Sequence, residues 1–231
     1  MSAYFLKRAA AVACLCLISL PAMAEGGISI RGTRIIYPEN SRQQSLSVNN
    51  SSATDSFLVQ SWVEDASGHK SNNFVVTPPL YLSGPHNENT LRLVRAGGDL
   101  PQDKESLYYF VAKAIPSFDE KTEKAGNVLR VAAASRIKLF VRPSNLKPSP
   151  DQAPSLLEFR RADGRLDISN PTPYYITLVN IKIGGVELKD IMVAPKDHNS
   201  EALPRASGST ITFHVINDYG AITKEISSVI K

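Results

Sequence analysis

The sequence predicts an all-β fold in which two immunoglobulin-like β-sandwich domains follow one another along the chain. Short apolar or alternating runs recur through the sequence, and residues that favour turns separate them. A proline-rich segment divides these runs into two sets. The first set contains seven runs, which is typical of an immunoglobulin-like sandwich, and no span in it combines a sustained 3.6-residue period with helix caps.

The first set of runs lies before residue 143. Its predicted strands are at 28–37, 45–49, 57–63, 74–77, 90–94, 107–115 and 127–143. Between them lie clusters of asparagine, serine, glycine and proline, at 49–52, 66–68, 78–79, 83–85 and 97–98. These residue types tolerate or preset the backbone angles of turns, so each cluster separates two predicted strands.

The run at 127–143 is the longest and reads NVLRVAAASRIKLFVRP. Its alternate residues Leu129, Val131 and Ala133 are apolar, whereas the intervening side is largely basic, as expected of an extended strand with one apolar edge. A helix is the alternative, because the alanines at 132–134 and the basic residues have good helix propensity. The stretch alone does not decide between the two, and the strands predicted around it favour a strand.

After Arg142 the composition changes to PSNLKPSPDQAP, which has four prolines within twelve residues. Such a segment is typical of a linker, or of a linker followed by a turn. Beyond it, predicted strands recur at 156–159, 165–168, 174–183, 191–193, 210–216 and 222–226. We therefore expect one domain at 25–143 and a second, smaller domain at 144–231.

The first 24 residues have the pattern of a secretory signal peptide, with Lys7 and Arg8, an apolar run at 9–20 and a small-residue site at 22–24. The apolar run is too short to span a bilayer, and no later run approaches the ~20 apolar residues that a span requires. Removal of the leader leaves 207 residues and lowers the formal charge from +4 to +2. We expect an exported protein without membrane insertion, and the small charge does not support nucleic-acid binding.

Both cysteines, Cys14 and Cys16, lie in the leader, so the mature chain cannot form a disulfide. Exported domains often use disulfides, but a chain of this length and hydrophobicity can be stabilised by packing alone. The four histidines have no metal-ligand spacing, and the mature chain has no cysteine to join them. We expect no metal site and no cofactor.

Catalytic motifs are absent from the sequence, which has no GxSxG elbow, phosphate-binding loop or dinucleotide fingerprint. Asp65, Ser67 and His69 lie close together, but in a glycine-containing turn, where polar residues are ordinarily solvated. Trp62 with the tyrosines at 174–175 could form a platform for a sugar, although a lone tryptophan in a sandwich strand is more often part of the core. We expect no catalytic residues and no enzyme activity.

Four segments, in their order along the chain, resemble the PapD-like family of periplasmic chaperones that serve chaperone–usher pili. They are ISIRGTRIIYP at 28–38, PQDKESLYYFVAKAIP at 101–116, NVLRVAAASRIKLFVRP at 127–143, and the pair NPTPYYIT at 170–177 with INDYGAI at 216–222. Each segment alone is a weak signal, whereas the ordered set is highly specific and covers essentially the whole mature chain. The short segment between Pro116 and Asn127 and the lack of mature cysteines resemble the short-loop branch of the family.

The resemblance implies that the two sandwiches form an L-shaped molecule with a cleft between the domains. It implies a periplasmic chaperone that binds and folds fimbrial subunits, lends them the strand at 127–141, and delivers them to an outer-membrane usher. Leu129, Val131 and Ala133 match the alternating residues that enter the groove of the subunit. An incomplete sandwich exposes an apolar groove and unpaired backbone groups, and such a strand satisfies both.

The resemblance also implies two charged sites. Arg34 and Lys138 match the two bases in the cleft that bind the C-terminal carboxylate of the subunit. Glu105, Arg142 and Asp218 match a buried ionic set that fixes the angle between the domains.

Each of these assignments has an alternative in the sequence. The two bases could be ordinary solvated residues, the three members of the ionic set could lie apart, and Leu129 and Val131 could face the core of their own domain. Family members commonly carry a larger apolar residue where this chain has Ala133, so the depth of the groove there is open.

Two other classes of function are also compatible with a β-sandwich. A pilus subunit or adhesin would usually be one incomplete domain with an N-terminal extension, whereas this chain has two sets of predicted strands that look complete. An exported sugar hydrolase or carbohydrate-binding sandwich would need two close carboxylates for hydrolysis, and the acids here are scattered.

A free chaperone with an exposed edge could also self-associate.

Overall fold

The structure of the chain is a computed structural model, and it describes residues 26–117, 131–203 and 208–231. The strands of the first half are β1 (Ile28–Ile30), β2 (Arg34–Pro38), β3 (Gln44–Asn50), β4 (Phe57–Asp65), β5 (Phe74–Thr77), β6 (Leu80–Ser83), β7 (Glu88–Arg95), β8 (Ser106–Pro116) and β9 (Ala133–Arg142). The strands of the second half are β10 (Glu158–Ala162), β11 (Arg165–Asn170), β12 (Ile176–Ile183), β13 (Val186–Glu187), β14 (Ile191–Val193), β15 (Asp197–Ala202), β16 (Thr210–Val215) and β17 (Ile226–Val229).

The fold class is all-β, as the sequence predicted. Within the described ranges the one helical element is a turn of 3₁₀ helix at Ala153–Leu156. No helix in these ranges is long and apolar enough to cross a membrane. The leader predicted at 1–24 lies outside the described residues.

Strands β1 to β9 form a sandwich of two sheets. One sheet has the order β1-β3-β7-β5, and the other has the order β2-β9-β8-β4-β6. Buried residues alternate along β3 and β4, because successive side chains of a strand point to opposite faces of the sheet. The inward side chains, which include Tyr37, Phe74, Leu91, Phe110 and Leu139, pack into one hydrophobic core.

The strand predicted at 28–37 is two strands in the structure. β1 pairs antiparallel with β3, whereas β2 pairs parallel with β9 in the opposite sheet. The chain passes between the sheets at residues 31–33, where Gly32 has a φ of 100°. Side chains other than hydrogen rarely allow this backbone angle, so the prediction of one continuous strand was wrong at this glycine.

The strand predicted at 127–143 is shorter in the structure. β9 begins at Ala133, and Val131 and Ala132 precede it without regular secondary structure. The pairing of β9 with β8 excludes the helical alternative for this part of the chain. The prediction that the strand includes Val131 was wrong, and the alanines that follow it have weak β propensity. Leu129 lies outside the described residues.

Strands β10 to β17 form a second sandwich with a separate core. One sheet has the order β10-β11-β15, and the other has the order β13-β12-β16-β17, with β14 also paired to β12. The buried residues of this core, which include Phe159, Leu166, Ile181 and Phe213, are distinct from those of the first core. The two halves of the chain therefore pack as separate sandwiches.

Several strand boundaries of the second half were predicted wrongly; for example, the strand predicted from residue 174 begins at Ile176. Residues Ala153–Leu156 form the 3₁₀ turn, so the strand predicted from residue 156 begins at Glu158. Pro154 favours this turn because its φ is already fixed near the helical value. The last strand is Ile226–Val229 rather than 222–226.

Three strands, β6, β13 and β15, were not predicted. Each of them lies at the edge of its sheet. β15, for example, has the polar sequence DHNSEA and contains no fully buried residue. An edge strand can pair through its backbone without an alternating apolar pattern, so that pattern could not locate β15.

Candidate functional site

The two halves of β9 have different neighbours. Residues 138–141 pair with β2 on one side and with β8 on the other. Residues 133–137 pair, among the described residues, with β8 alone, because β2 begins at Arg34, the register partner of Lys138. Residues 133–137 therefore form an open edge, where backbone N–H and C=O groups can pair with an added strand.

Apolar side chains next to the open edge are exposed. Val131 is 68% exposed, and Ala133 is also exposed. By contrast, Leu139 and Val141 are 0% and 1% exposed and belong to the core of the first sandwich. The alternating apolar side chains are thus buried in the core in the second half of β9, and they are exposed before and at the start of the strand. The alternative that Val131 faces its own core is wrong.

Arg34 and Lys138 lie side by side at the junction of the two sandwiches, as register partners in the parallel pair of β2 and β9. Arg34 Nη1 donates a hydrogen bond to the carbonyl oxygen of Ile216 at 2.9 Å, and Lys138 Nζ donates one to Thr177 Oγ1 at 3.3 Å. The Nε of Arg34 is buried without a hydrogen-bond partner among the described residues. Both bases therefore bridge the first sandwich to the second.

The hydrogen-bond partners of both bases are neutral. Burial lowers the pKa of Arg34, and it lowers the pKa of Lys138, which the neighbouring charge of Arg34 lowers further. Two partly buried cations side by side repel each other and lose hydration, and an anion between them would relieve both costs. The pair can therefore accept a carboxylate through charge-assisted hydrogen bonds.

Glu105, Arg142 and Asp218 are in direct contact. Arg142 Nε donates to Glu105 Oε1 at 2.7 Å, while Nη1 and Nη2 donate to the two carboxylate oxygens of Asp218 at 2.6 and 2.7 Å. Glu105 Oε2 also accepts a hydrogen bond from the backbone N–H of Tyr175 at 2.8 Å. Because Asp218 and Tyr175 belong to the second half of the chain, this ionic set joins the two sandwiches.

Two members of the ionic set are largely removed from water, whereas the side chain of Asp218 is 35% exposed. The side chains of Glu105 and Arg142 are 1% and 18% exposed. Burial raises the pKa of Glu105, although the charge of Arg142 and the hydrogen bond from Tyr175 oppose this. Burial acts to lower the pKa of Arg142, but its two carboxylate partners outweigh burial and raise it. The arginine is thus permanently charged and holds both carboxylates in place.

Aromatic packing also contributes to the junction. Phe140 stacks on Tyr175 with ring centroids 5.4 Å apart, and the Cζ of Arg34 lies 5.8 Å from the centroid of the Phe140 ring. A cavity of about 290 Å³ remains between the sandwiches, with Arg34, Phe140 and Arg142 on one side and Tyr175 and Ile216 on the other. The junction is therefore held by a few directed contacts rather than by a continuous apolar core.

The sequence did not identify Phe140, Thr177 or Ile216 as site residues, and it indicated Tyr175 only for a sugar platform. Phe140 could have been found, because it alternates with Lys138 and Arg142 and so lies on the same face of β9. The other three are contributed by the second sandwich, and no local pattern indicates which of its residues meet the first.

The residues considered for other chemistry do not form a site. Asp65, Ser67 and His69 lie in an exposed turn, as predicted, where Asp65 Oδ1 accepts the backbone N–H groups of Ser67 and His69. Trp62 is half-buried on the outer face of its sheet, so the prediction that it belongs to the core was wrong. Within the described ranges, no three or more histidine, cysteine or acidic residues are grouped to hold a metal ion.

Comparison with known families identifies the class of protein. The family described as pili and flagellar-assembly chaperone, PapD N-terminal domain, matches residues 27–147. The family described as pili assembly chaperone PapD, C-terminal domain, matches residues 152–227. These matches, together with the fold and the junction, define a two-domain pilus assembly chaperone.

Known relatives agree with this class. The chain is 42% identical over 207 residues to the probable fimbrial chaperone SfmC of Escherichia coli strain K12, covering 90% of each chain. It is 44% identical over 209 residues to the chaperone protein FimC of the same strain, covering 90% of this chain and 86% of FimC. The chain belongs to the PapD-like family of pili assembly chaperones.

Solved structures of family members have the same fold. The periplasmic chaperone SfaE superposes with a TM-score of 0.77 at 41% identity, and the match covers 88% of this chain and 100% of SfaE. The SafB chaperone of Salmonella enterica, in complex with the SafA pilin, superposes with a TM-score of 0.81 at 30% identity, covering 90% and 98% of the two chains.

Proposed function

We propose that the protein is a periplasmic chaperone that binds and folds fimbrial subunits by donor-strand complementation. The observation that carries this proposal is the open edge of β9, at residues 133–137, which lies immediately before the paired bases Arg34 and Lys138. The edge offers backbone hydrogen bonds, and the bases offer a charged anchor. A partner that needs both is a chain whose sandwich lacks its final strand and which ends in a free carboxylate.

The proposed mechanism begins with the terminal carboxylate of the subunit. It binds between Arg34 and Lys138 and thereby fixes the register of the strand that pairs with β9. Alternate side chains before β9, at Leu129 and Val131, and Ala133 at its start then enter the apolar groove of the subunit. Register matters because a slip of one residue would turn these side chains away from the groove.

Copurification tests the proposed function. The mature protein, purified from the periplasm of cells that also express a fimbrial subunit, should be recovered with that subunit in a one-to-one complex. A pilus subunit or adhesin would instead form polymers through its own extension, and a carbohydrate-binding protein would be retained by a sugar matrix. Recovery of the protein without a subunit under these conditions would contradict the proposal.

The proposal includes an outer-membrane usher as a second partner. Leu58 of β4 and Leu80 and Leu82 of β6 are 37%, 52% and 63% exposed, and Leu58 is the register partner of Leu82. A cluster of exposed leucines commonly marks a protein-binding surface. β6 lies at the far edge of the sheet, three strands from β9, so a subunit on the open edge would leave this patch accessible. Binding of a subunit-loaded chaperone to purified usher domains tests this step.

The remaining assignments follow from the proposed role. We propose domains at 25–143 and 144–231 after a signal peptide at 1–24, location in the periplasm, and no enzymatic turnover. The free protein could self-associate through its open edge, and sedimentation over a range of protein concentrations would detect this.

Val131→Asp is expected to weaken capture of the subunit while the chaperone stays folded. Val131 is 68% exposed in the free protein, so the carboxylate stays hydrated until a subunit binds. In the complex the variant loses the burial of a valine, worth about 1.5–3 kcal/mol, and adds the desolvation of an unpaired carboxylate. Binding affinity and thermal unfolding measure the two effects.

Val229→Asp is the matched control for this variant, because Val229 is 65% exposed on β17 in the second sandwich. It should bind the subunit like the wild type. Unfolding of the free Val131→Asp variant would show that Val131 stabilises the chaperone itself and would contradict its assignment to the donor segment.

Ala133→Leu is expected to report the depth of the subunit groove. If the groove is shallow at this position, the added methyl and methylene groups overpack it and cost roughly 1–3 kcal/mol of affinity. If the groove is underfilled, affinity should rise. Ala134→Leu, on the opposite face of β9, is the control. Equal dissociation rates for wild type and Ala133→Leu would mean that residue 133 does not enter the groove.

A further inference from the structure

Four side chains on the outer face of the first sandwich contact one another across β4, β8 and β9. They are Trp62, Glu64, Tyr109 and Arg136, and we call this cluster the outer-face tie. Arg136 Nε donates a hydrogen bond to Glu64 Oε2 at 2.8 Å, and the Cζ of Arg136 lies 3.3 Å from the centroid of the Tyr109 ring. The other oxygen, Glu64 Oε1, accepts a hydrogen bond from Trp62 Nε1 at 3.0 Å. One guanidinium therefore links β9 to its neighbour β8 and, beyond it, to β4, the next strand of the sheet.

The outer-face tie holds the open edge itself, because Arg136 is one of residues 133–137. The preceding residues of this edge, Ala133, Ala134 and Ser135, are small and have low β propensity. Ile137 packs against the core on the inner face. On the outer face the open edge presents Ala134 and Arg136, and of these only Arg136 reaches another strand.

We propose that Arg136 is a positioning residue that keeps the open edge extended against β8 before a subunit arrives. This proposal rests on the proposed function, because it concerns the strand that the chaperone lends. An edge that opens locally must be ordered again before it can pair, and a preformed edge avoids that entropic cost during binding. Arg136 acts through the order of the backbone rather than through contact with the subunit.

The geometry favours a local role over a global one. The side chain of Arg136 is 41% exposed and that of Glu64 is 16% exposed. An ion pair with this exposure contributes little to the stability of a whole domain, because water screens it. Stacking of the guanidinium on Tyr109 adds to the attraction, since a planar cation over an aromatic face is favourable. The combined contact therefore acts mainly on the segment at 133–137, which carries Arg136.

Hydrogen exchange in the free chaperone tests the proposal. Arg136→Met keeps the apolar stem and removes the charge and the planar stacking, while Glu64→Gln keeps an acceptor for Trp62 and removes the ion pair. Backbone amides of residues 133–137 should exchange about tenfold faster in Arg136→Met, as expected of a locally opened edge. Arg31→Met is the control, because it removes the exposed Arg31–Glu88 pair of the opposite sheet.

Binding of a fimbrial subunit gives the second readout. The association rate constant of Arg136→Met should fall by the factor by which the ordered fraction of the free edge falls, whereas its dissociation rate constant should change little, because ordering precedes pairing. Arg136→Lys, which keeps the charge but loses the planar stacking, should restore part of the rate. The double variant with Glu64→Gln should bind as slowly as Arg136→Met alone, since both changes remove one contact.

Unchanged exchange at residues 133–137 would overturn the proposal, and so would an association rate equal to that of Arg31→Met. If Arg136→Met unfolds globally, hydrogen exchange and the association rate are measured on Glu64→Gln instead. Failure of the wild type to bind any fimbrial subunit would instead overturn the proposed function. The two failures can be distinguished, because the exchange experiment tests the role of Arg136 without a subunit.

Discussion

Arg142→Ala is expected to lower the free energy of unfolding by about 3–5 kcal/mol, the usual cost of removing one member of a buried ionic set. The arginine donates hydrogen bonds to both Glu105 and Asp218, and the side chain of Glu105 is only 1% exposed. Without the arginine, two carboxylates remain at the junction, and the buried carboxylate of Glu105 loses its cation. Chemical denaturation of the purified variant measures the loss.

The loss is expected to be larger at alkaline than at acidic pH. Burial already raises the pKa of Glu105, and the charge of Arg142 offsets part of that rise. In the variant, the pKa of Glu105 in the folded protein rises further above its value in the unfolded chain. The destabilisation is therefore full above the folded pKa and is relieved as the pH falls through it towards the unfolded pKa. The deficit relative to wild type should be greater at about pH 8 than at about pH 5.

Two further variants separate the ionic set from a simple loss of charge. Arg142→Lys keeps the cation but cannot donate to both carboxylates in the same fork-like geometry, so it should recover only part of the stability. Arg160→Ala removes the exposed Arg160–Glu158 pair of the second sandwich and should leave stability almost unchanged. Small-angle scattering should show a wider distribution of domain angles in Arg142→Ala. Unchanged unfolding together with unchanged scattering would contradict the role of Arg142.

The sequence was sufficient to predict the class of fold because each central strand carries its own signal. The strands predicted at 45–49 and 57–63 lie within β3 and β4, and the alternation in both matches their buried faces. Where the chain leaves one sheet for the other, at Gly32, the residues RGTR at 31–34 interrupt the apolar pattern, and the prediction of one strand passed over this break. Edge strands such as β15 lack the pattern altogether, so their positions depend on the backbone of a neighbour.

The candidate site was predictable only in part from the residues themselves. Alternation indicated an apolar edge before β9, but it could not show that Val131 is exposed while Leu139, eight positions later, is buried. That difference arises because Val131 precedes β9 and lacks register partners in β8, whereas Leu139 pairs with strands on both sides and packs into the core. The pairing of Arg34 with Lys138 depends on a parallel contact between strands about a hundred residues apart. The resemblance to a known family suggested this pairing, and no local pattern did.

The second large effect is expected from Lys138→Ala and from Arg34→Ala, each of which should abolish productive capture of a subunit. A carboxylate bound between the two bases accepts charge-assisted hydrogen bonds from an ammonium and a guanidinium, each worth about 1.5–3 kcal/mol. Loss of one base should weaken binding of a C-terminal subunit peptide by about 10- to 150-fold. The two losses should not add, because both remove the same anchor.

Stability should change little in these variants, because each base makes a single hydrogen bond of its own across the junction. Lys182→Ala, at an exposed position of β12, and Arg31→Ala are matched controls that remove a lysine and an arginine away from the junction. Both controls should bind the peptide like the wild type. A large fall in the melting temperature of Lys138→Ala would assign Lys138 to the stability of the chaperone instead.

The peptide itself offers the sharper test, since amidation of its C-terminus removes the carboxylate without changing the chaperone. The amidated peptide should bind wild-type protein about as weakly as the free acid binds Lys138→Ala. Affinity for the free acid should also fall as the pH rises through the pKa of Lys138 in the free chaperone, which burial and Arg34 lower. The sign follows because a bound carboxylate raises that pKa, so binding takes up a proton and is favoured at lower pH. Equal binding of the amidated and free-acid peptides to wild-type protein would show that the two bases do not anchor a chain terminus.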